Sequence, residues 1–398
     1  MANNNDKKVL NVPALRFPEF SGEWEKYVLT EFVERVTRRN KGNECKLPLT
    51  ISAQYGLVDQ ITFFNKIIAS DDMSNYYLLT NGDFAYNKSY SSEYPWGAIK
   101  RLDRYEYGAL SSLYICFRPL NHVSSDFLTH YFETKKWHQG ISEIAVEGAR
   151  NHGLLNIGIQ DFFATKHYLP QSILEQEKIA CFLNLIEERI RLQNKIIEDL
   201  KKLKSAIIHR CYSSQINMVS LSELIKQCSE RNHSGMDLQV LSVSNKHGFI
   251  AQSEQFEDRE VASDDTSNYK VVKKDMFAYN PARINVGSIA LYEMDNNGIV
   301  SPMYVCFTTK SKLSPNYLKH YFTSQAFRHE MHKRLEGSVR LCLTFEGLCN
   351  IEIPLPSIDQ QENIGKYLSK IDNKISLEEN VLSQYQMQRS YLLSEMFI

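Results

Sequence analysis

Residues 172–179 read Ser-Ile-Leu-Glu-Gln-Glu-Lys-Ile, and residues 357–364 repeat the pattern as Ser-Ile-Asp-Gln-Gln-Glu-Asn-Ile. Each copy follows a Leu-Pro pair, at 169–170 and 355–356, which ends the preceding segment and biases the leucine toward extended backbone. A serine or aspartate close behind the proline can cap the start of a helix. The two stretches therefore predict two long helices that begin in the same way.

Apolar residues recur at seven-residue spacing along both predicted helices. Such a repeat forms a stripe along one side of a helix, and the stripe needs a partner helix. Each position of the first stripe is matched 185 residues later in the second, so we expect the two helices to pair with each other. The matched positions are Leu183, Ile186, Ile190, Ile197, Leu200 and Ile207 in the first helix and Leu368, Ile371, Ile375, Leu382, Tyr385 and Leu392 in the second.

The repeat extends over the segments that precede each helix. Residues 70–76 read Ser-Asp-Asp-Met-Ser-Asn-Tyr and residues 263–269 read Ser-Asp-Asp-Thr-Ser-Asn-Tyr. Phe-Ala-Tyr-Asn occurs at 84–87 and again at 277–280. The matches keep their order along the chain while their offset changes slightly, which indicates a tandem duplication with insertions and deletions in the loops.

Each half is predicted to be a globular domain followed by its helix. Residues 112–117 and 303–307 have the aromatic and β-branched composition of buried strands. Residues 127–132 and 317–322 resemble short amphipathic helices, and 157–169 and 348–355 look like strands that lead into the long helices. The fold class is therefore mixed α/β or α+β, in two tandem copies. The predicted divisions are a first globular domain at 1–170, a central helix at 171–213, a second globular domain at 214–356 and a C-terminal helix at 357–398.

Composition and charge exclude several classes of protein. The formal net charge of −1 argues against a protein that coats nucleic acid through a large positive field. The eight cysteines show no Cys-x-x-Cys pair and no metal-ligand spacing with histidine, so we expect no disulfide framework and no metal site. Neither a membrane-length apolar run nor a signal-peptide pattern is found, so we expect a cytoplasmic protein without a membrane contact.

Motifs for catalysis are absent from the sequence. We find no phosphate-binding glycine loop, no dinucleotide-binding turn and no nucleophile elbow. His130 and His320 are the best catalytic candidates because the repeat reproduces them, each before Tyr-Phe. A partly buried structural histidine is the favoured interpretation of both.

Polar inserts follow the repeated Phe-Ala-Tyr-Asn blocks. Residues 88–97 and 281–287 share the frame but differ in sequence, and each insert holds a basic residue, hydrogen-bonding side chains and a closing glycine. Residues 148–152 and 337–340 form a second such pair. Arg, Lys, Asn and Ser are side chains that reach base edges and phosphates, although solvated loops with no specific role remain the alternative. The predicted DNA-binding residues are Lys88, Ser89, Tyr90, Ser91, Tyr94, Arg150, Asn151, Arg283, Asn285, Ser338 and Arg340.

With these features, the chain resembles the specificity subunit of type I restriction–modification enzymes. The resemblance rests on residues 12–24, which begin Val-Pro-Ala-Leu-Arg-Phe-Pro-Glu-Phe, on the paired Leu-Pro…Gln-Glu-x-Ile helices, and on residues 279–287. It covers nearly the whole chain. The duplicated architecture is more specific than any of the short motifs.

The resemblance implies that each domain reads one half of an asymmetric bipartite site in double-stranded DNA. The two helices would form an antiparallel coiled coil that separates the domains with pseudo-twofold symmetry. Their apolar positions would also dock two methyltransferase subunits, and motor-nuclease subunits would complete the complex. The chain itself would be non-catalytic and bind no cofactor, with S-adenosylmethionine, ATP and Mg expected on the partner subunits.

Two other functions were weighed against this one. A non-catalytic assembly or inhibitor protein would keep the helical docking surface without specific DNA binding, but polar inserts in both halves argue against it. A free-standing nuclease or methyltransferase would need the cofactor loops that the sequence lacks.

Overall fold

The structure, a computed structural model, describes residues 10–145, 154–213, 217–233, 237–245, 247–252, 265–337 and 341–398. The chain divides into two compact units. Unit 1 comprises the residues up to 192 together with 382–398, and unit 2 comprises residues 193–381. Each unit therefore combines sheets with parts of both long helices.

Unit 1 contains three sheets among its described residues. A four-stranded antiparallel sheet has the order β2-β9-β6-β7, a mixed four-stranded sheet has the order β4-β3-β8-β5, and β1 pairs with β10. The strands are β1 (Glu25–Val28), β2 (Val33–Arg35), β3 (Pro48–Ser52), β4 (Gly56–Asp59), β5 (Tyr77–Thr80), β6 (Phe84–Asn87), β7 (Ala98–Arg101), β8 (Tyr107–Leu110), β9 (Ile115–Pro119) and β10 (Lys166–Leu169). The short helices are α1 (Gln60–Phe64), α2 (Ser125–Tyr131), α3 (His138–Ile144) and α4 (Ile159–Phe163), with 3₁₀ turns at Leu29–Glu31 and Lys41–Asn43.

Unit 2 repeats this topology strand for strand. Its sheets have the orders β12-β19-β16-β17 and β14-β13-β18-β15, and β11 pairs with β20. The strands are β11 (Met218–Ser220), β12 (Ile225–Cys228), β13 (Gln239–Ser244), β14 (Gly248–Ala251), β15 (Lys270–Val272), β16 (Met276–Tyr279), β17 (Ile289–Leu291), β18 (Gly298–Val300), β19 (Val305–Thr309) and β20 (Glu352–Pro354). The short helices are α6 (Leu221–Leu224), α7 (Pro315–Tyr321), α8 (Gln325–His332) and α9 (Phe345–Cys349), with a 3₁₀ turn at Ile284–Val286. The predicted duplication and mixed fold class are confirmed.

Two long helices follow the globular segments, as the Leu-Pro pairs predict. They are α5 (Ile173–Tyr212) and α10 (Ile358–Glu395). In unit 1 the first half of α5 packs with the last part of α10, and in unit 2 the second half of α5 packs with the first part of α10. The two helices are therefore antiparallel partners within each unit.

One buried glutamine joins each long helix to its globular segment. Gln176 of α5 accepts a hydrogen bond from the Ser124 backbone N–H at the start of α2 and donates to the Pro170 carbonyl, both at 2.9 Å. Gln361 of α10 makes the equivalent contacts with Ser314 and Pro356, also at 2.9 Å. Each amide satisfies a helix-start donor and a carbonyl that would otherwise be buried without a partner.

The aromatic core of unit 1 is completed from the C-terminal end of α10. Phe397 is 1% exposed, and its ring lies 5.3 Å from Phe127 and 6.3 Å from Trp24, measured between ring centroids. The backbone N–H of Leu15 donates to the Glu395 carbonyl at 2.9 Å. The corresponding place in unit 2 is taken by the end of α5, where Tyr212 is buried among aromatic residues of α7.

Two predicted strands are wrong in part. Residues 157–169 contain the helix α4 before β10, and residues 348–355 begin in the helix α9 before β20. One helical turn buries both Phe162 and Phe163, and Thr344 caps α9 by accepting a hydrogen bond from the Gly347 N–H. Short apolar runs of this kind fit a strand or a buried helical turn equally well by pattern.

We predict that Phe397→Ala lowers the free energy of unfolding of unit 1 by about 3–5 kcal/mol, because it leaves a cavity in an aromatic core. All three tryptophans, Trp24, Trp96 and Trp137, lie in unit 1, so tryptophan fluorescence during urea denaturation reports on that unit. Tyr391→Ala, at a side chain 60% exposed on the same helix, is the control and should leave the midpoint nearly unchanged. An unchanged midpoint for Phe397→Ala would contradict the packing described.

Candidate nucleic-acid interface

The first polar insert of unit 1 is a structured loop between β6 and β7. Its turn is closed by two hydrogen bonds, from the Ser91 N–H to the Tyr94 carbonyl and from the Tyr94 N–H to the Ser91 hydroxyl. The closing Gly97 has φ of 78°, and a Cβ there would lie 2.1 Å from the Asn87 carbonyl oxygen, so only glycine fits. The loop therefore holds its side chains in defined positions.

The predicted contact residues of this loop differ in exposure. Ser89 and Ser91 are exposed, whereas Lys88 and Tyr94 are half-buried. Tyr90 is partly buried and packs against the core of unit 1. Burial raises the pKa of Tyr94, and the nearby carboxylates of Glu133 and Glu93 raise it further. These tyrosines therefore support the loop as well as lining it.

The corresponding loop of unit 2 lies between β16 and β17. Ile284 is buried at its centre, while Arg283 and Asn285 on either side are exposed. Gly287 follows with φ of 93°, in the left-handed region that favours glycine. Asn285 and Gly287 line a cavity of about 890 Å³ that also contains the cations Lys319 and Arg328. Arg283 and Asn285 thus project from a loop anchored by one apolar side chain.

In each unit the first insert contacts the residues that follow the second insert. The Leu155 N–H donates to the Lys88 carbonyl at 3.0 Å in unit 1, and the Leu343 N–H donates to the Pro281 carbonyl at 3.1 Å in unit 2. The four predicted residues of the second inserts, Arg150, Asn151, Ser338 and Arg340, lie outside the described residues.

The repeated histidines are buried where a short helix meets a long one. His130 Nε2 lies 2.8 Å from Asn184 Oδ1, and His320 Nε2 lies 3.2 Å from Ser369 Oγ. Burial is the main cause that lowers the pKa of both histidines, to about 4 for His320, where the positive charge of Lys204 also contributes. These contacts fit the structural interpretation made from the sequence.

Ion pairs next to these histidines link the long helices within each unit. Arg389 of α10 pairs with Glu187 of α5 in unit 1, and Lys204 of α5 pairs with Asp372 of α10 in unit 2. The two pairs occupy equivalent places in the repeat with the cation and the carboxylate on opposite helices. The duplicated charge pair therefore accompanies the apolar seam in fixing the register of the helices.

The predicted seam residues are all buried or partly buried. In unit 1, Leu183, Ile186 and Leu392 belong to one buried cluster with the aromatic core. In unit 2, Leu368 shares a second cluster with Ile208 and Tyr212. The side chains that the sequence assigned to pairing thus face the interior, and their use in docking a further subunit stays a prediction.

A second apolar face of the helices was not recognised from the sequence. The exposed stripe of α5 follows spacings of eleven, seven, four and seven residues, which place its members on one side of the helix. Its members are Leu174, Leu185, Leu192, Ile196 and Leu203. On α10 the exposed large apolar residues are Ile358, Tyr367, Leu377, Met387 and Tyr391. The same heptad count could have found the stripe of α5, had it been applied to every face.

The chain was compared with protein-family models and with known protein sequences. Residues 249–385 match the model of a family described as the type I restriction modification DNA specificity domain. Residues 249–385 are thus similar to a type I DNA specificity domain. The resemblance noted from the sequence is confirmed. No curated protein sequence is a significant match to this chain.

Two solved structures share the fold over nearly the whole chain. A type I restriction-modification system S subunit from M. genitalium is 16% identical, covers 97% of this chain and 99% of its own, and superposes with a TM-score of 0.60. A chain from a study of complex assembly and conformational transition of the type I R-M system is 15% identical, covers 94% and 97%, and has a TM-score of 0.52. The matched specificity domain thus sits in a chain with the fold of these proteins.

Neither a metal site nor a membrane helix is found in the part of the chain that the structure describes. No group of three or more His, Cys, Asp or Glu side chains there could hold a metal ion. None of the helices described is long and apolar enough to cross a membrane. Cys116 and Cys306, interpreted as buried thiols, are each 1% exposed in the sheets of their own units.

We predict that the free energy of unfolding falls as the pH is lowered from about 6.5 toward 4. Unfolded histidines take up protons near pH 6.5, whereas His320 stays neutral in the folded state until its pKa of about 4. Denaturant titrations at several pH values should show a smaller decline for His320→Gln than for the wild type. The exposed His332→Gln is the matched control, and an identical decline in all three proteins would contradict the assignment.

Proposed function

We propose that this chain is the DNA sequence-specificity subunit of a type I restriction–modification complex. The observation that supports this best is the match of residues 249–385 to the specificity-domain family. The strand order of unit 2 is repeated in unit 1. Because both units have the same sheet topology, each unit reads one half of a bipartite site in double-stranded DNA. The loops inserted in that frame differ, so the two half-sites differ and the whole target is asymmetric.

The proposed reading surface is the pair of loops after the Phe-Ala-Tyr-Asn blocks, with the second inserts beside them. Arg283 and Asn285 are exposed on a loop whose backbone is held by an αL glycine and a buried isoleucine. Arginine bonds guanine and asparagine bonds adenine in bidentate fashion in the major groove. Rigid presentation of such side chains supports base reading rather than general attraction to DNA.

The proposed role of α5 and α10 is to set the spacing of the half-sites and to dock two methyltransferase subunits. The inner seam is occupied by helix pairing, whereas the outer stripe of α5 presents Leu185, Leu192 and Leu203 to solvent. An apolar stripe on a helix supports the addition of further helices to the bundle. Motor-nuclease subunits would join the complex through these partners.

Catalysis is assigned to the partner subunits. The chain contributes recognition, and S-adenosylmethionine, ATP and Mg would bind to the methyltransferase and motor-nuclease subunits. The alternative, an assembly or inhibitor protein, keeps the docking stripe but does not bind DNA specifically.

Methylation mapping tests the proposal directly. DNA from cells that express this chain with its methyltransferase subunits should carry methyl groups at one asymmetric bipartite sequence. Cells with the methyltransferase subunits alone are the control and should lack that pattern. An intact complex that binds DNA without sequence preference would favour the alternative.

We predict that Arg283→Ala weakens discrimination at one base pair of one half-site by about 1–3 kcal/mol, because it removes a bidentate contact to a base. Competition binding of the assembled complex to a set of single-substituted targets measures this. Lys312→Ala, at an exposed cation of the same unit, is the control. Equal weakening on every sequence would assign Arg283 to a phosphate instead.

We predict that Leu185→Asp with Leu192→Asp prevents assembly with methyltransferase subunits while the chain stays folded, because charges replace exposed apolar docking contacts. Size-exclusion chromatography of the mixed subunits measures assembly, and circular dichroism measures folding. Lys202→Gln, exposed on another side of α5, is the control. Normal assembly of the double variant would exclude the outer stripe as the docking surface.

A further inference from the structure

Four arginines of unit 1 meet where the edge strands of its two large sheets come together. β2 is the edge strand of the antiparallel sheet and β5 is the edge strand of the mixed sheet. The chain after β2 joins them, since Arg39 forms an isolated bridge with Tyr77 and the Leu78 N–H donates to the Arg38 carbonyl at 2.9 Å. We name the side chains of Arg35, Arg38, Arg39 and Arg118 at this junction the arginine seam.

Tyr77 holds two of these guanidinium groups. Arg39 lies over the Tyr77 ring at 4.3 Å from its centroid and donates to the Asn75 carbonyl at 2.5 Å. Arg35 Nη2 donates to the Tyr77 hydroxyl at 3.3 Å. Both arginines are exposed, yet each is oriented by a contact that leaves most of its donors unused.

Asp83 contacts the guanidinium groups of Arg38 and Arg118. Its carboxylate lies 3.1 Å from Arg118 Nη2 and 3.6 Å from Arg38 Nη2, and its side chain is only 3% exposed. Arg38 also donates from Nε to the Leu78 carbonyl at 3.0 Å. Apart from Asp83, Glu34 at 3.7 Å from Arg118 is the carboxylate that pairs with the seam among the described contacts. The outer surface is therefore dominated by guanidinium donors.

Unit 2 builds the same strands with a different set of cations. Lys226 stands where unit 1 has Glu34, and Lys270 forms with Arg231 the isolated bridge that Tyr77 forms with Arg39. The register of β12 with β19 places Gln227 and Thr308 where unit 1 has Arg35 and Arg118. Glu230 stands at the position of Arg38 and pairs with Lys273 at 2.7 Å. Arg39 alone has an arginine counterpart, Arg231. The fold thus does not require arginine at Arg35, Arg38 and Arg118.

We propose that the arginine seam binds the phosphate backbone of duplex DNA and anchors unit 1 on its half-site. Oriented guanidinium groups match phosphate oxygens in bidentate geometry, and phosphate contacts position a protein without reading sequence. The proposal rests on the proposed function, because it gives DNA as the partner. It adds that unit 1 makes these contacts through guanidinium groups.

The test is the salt dependence of DNA binding by Arg35→Gln with Arg38→Gln in the full chain assembled with its methyltransferase subunits. Asp83 keeps Arg118 and the Thr80 N–H as partners in this variant, so its burial stays satisfied. A fluorescein-labelled duplex of mixed sequence and a duplex with the mapped site are titrated at several salt concentrations. Lys135→Gln with Lys136→Gln removes the same charge from an exposed loop of unit 1.

The expected result is a plot of log affinity against log salt that is less steep by about 2 on both duplexes, with the mapped sequence unchanged. The control variant should keep the wild-type slope. Three results would contradict phosphate binding by the arginine seam. They are an unchanged slope, an altered preference at a single base pair, and loss of assembly with the methyltransferase subunits. A wild-type complex that does not prefer the mapped site would refute the proposed function instead.

Discussion

A side-chain amide at the start of each long helix is the contact on which each unit depends. Gln176 and Gln361 each join the N–H of a serine before a short helix to the carbonyl of the proline before the long helix. Both are almost fully buried, so the loss of either amide would leave a donor and an acceptor without partners. The helix direction is thereby fixed relative to the sheets of its own unit. The apolar seam and the ion pairs then hold the two long helices together within each unit, and the buried histidines join a short helix to a long one.

Much of the fold follows from patterns that can be recognised in the sequence without tertiary information. The Leu-Pro pairs and the seven-residue spacing predict helices that begin near Ile173 and Ile358, and the structure has them there. The ordered repeat predicts one topology used twice, which the sheets confirm. The domain divisions stay a prediction, although the compact units take parts of both helices. The short segments that contain Phe162 and Leu348 were predicted as strand because a single buried helical turn has no period that distinguishes it from a strand.

The candidate interface was less accessible from the sequence, because strand register brings its parts together. Arg38 and Arg118 are far apart in the chain and approach each other only because both reach the carboxylate of Asp83. A cluster of this kind has no spacing that a motif search could use. The inserts containing Ser89 and Arg283 were visible because the surrounding frame repeats while they change. Whether each insert residue touches DNA stays a prediction. Duplication thus shows where variation is tolerated, and the structure adds which exposed charges the fold itself does not need.

The packing of Phe397 against Trp24 and Phe127 has a consequence for biosynthesis. Most of unit 1 leaves the ribosome before unit 2, but its aromatic core stays incomplete until Leu392 and Phe397 have been translated. All residues of unit 2 have been translated by position 381, so unit 2 can fold first. The nascent part of unit 1 that precedes unit 2 must therefore wait with some of its apolar surface uncovered, which reverses the usual order of vectorial folding.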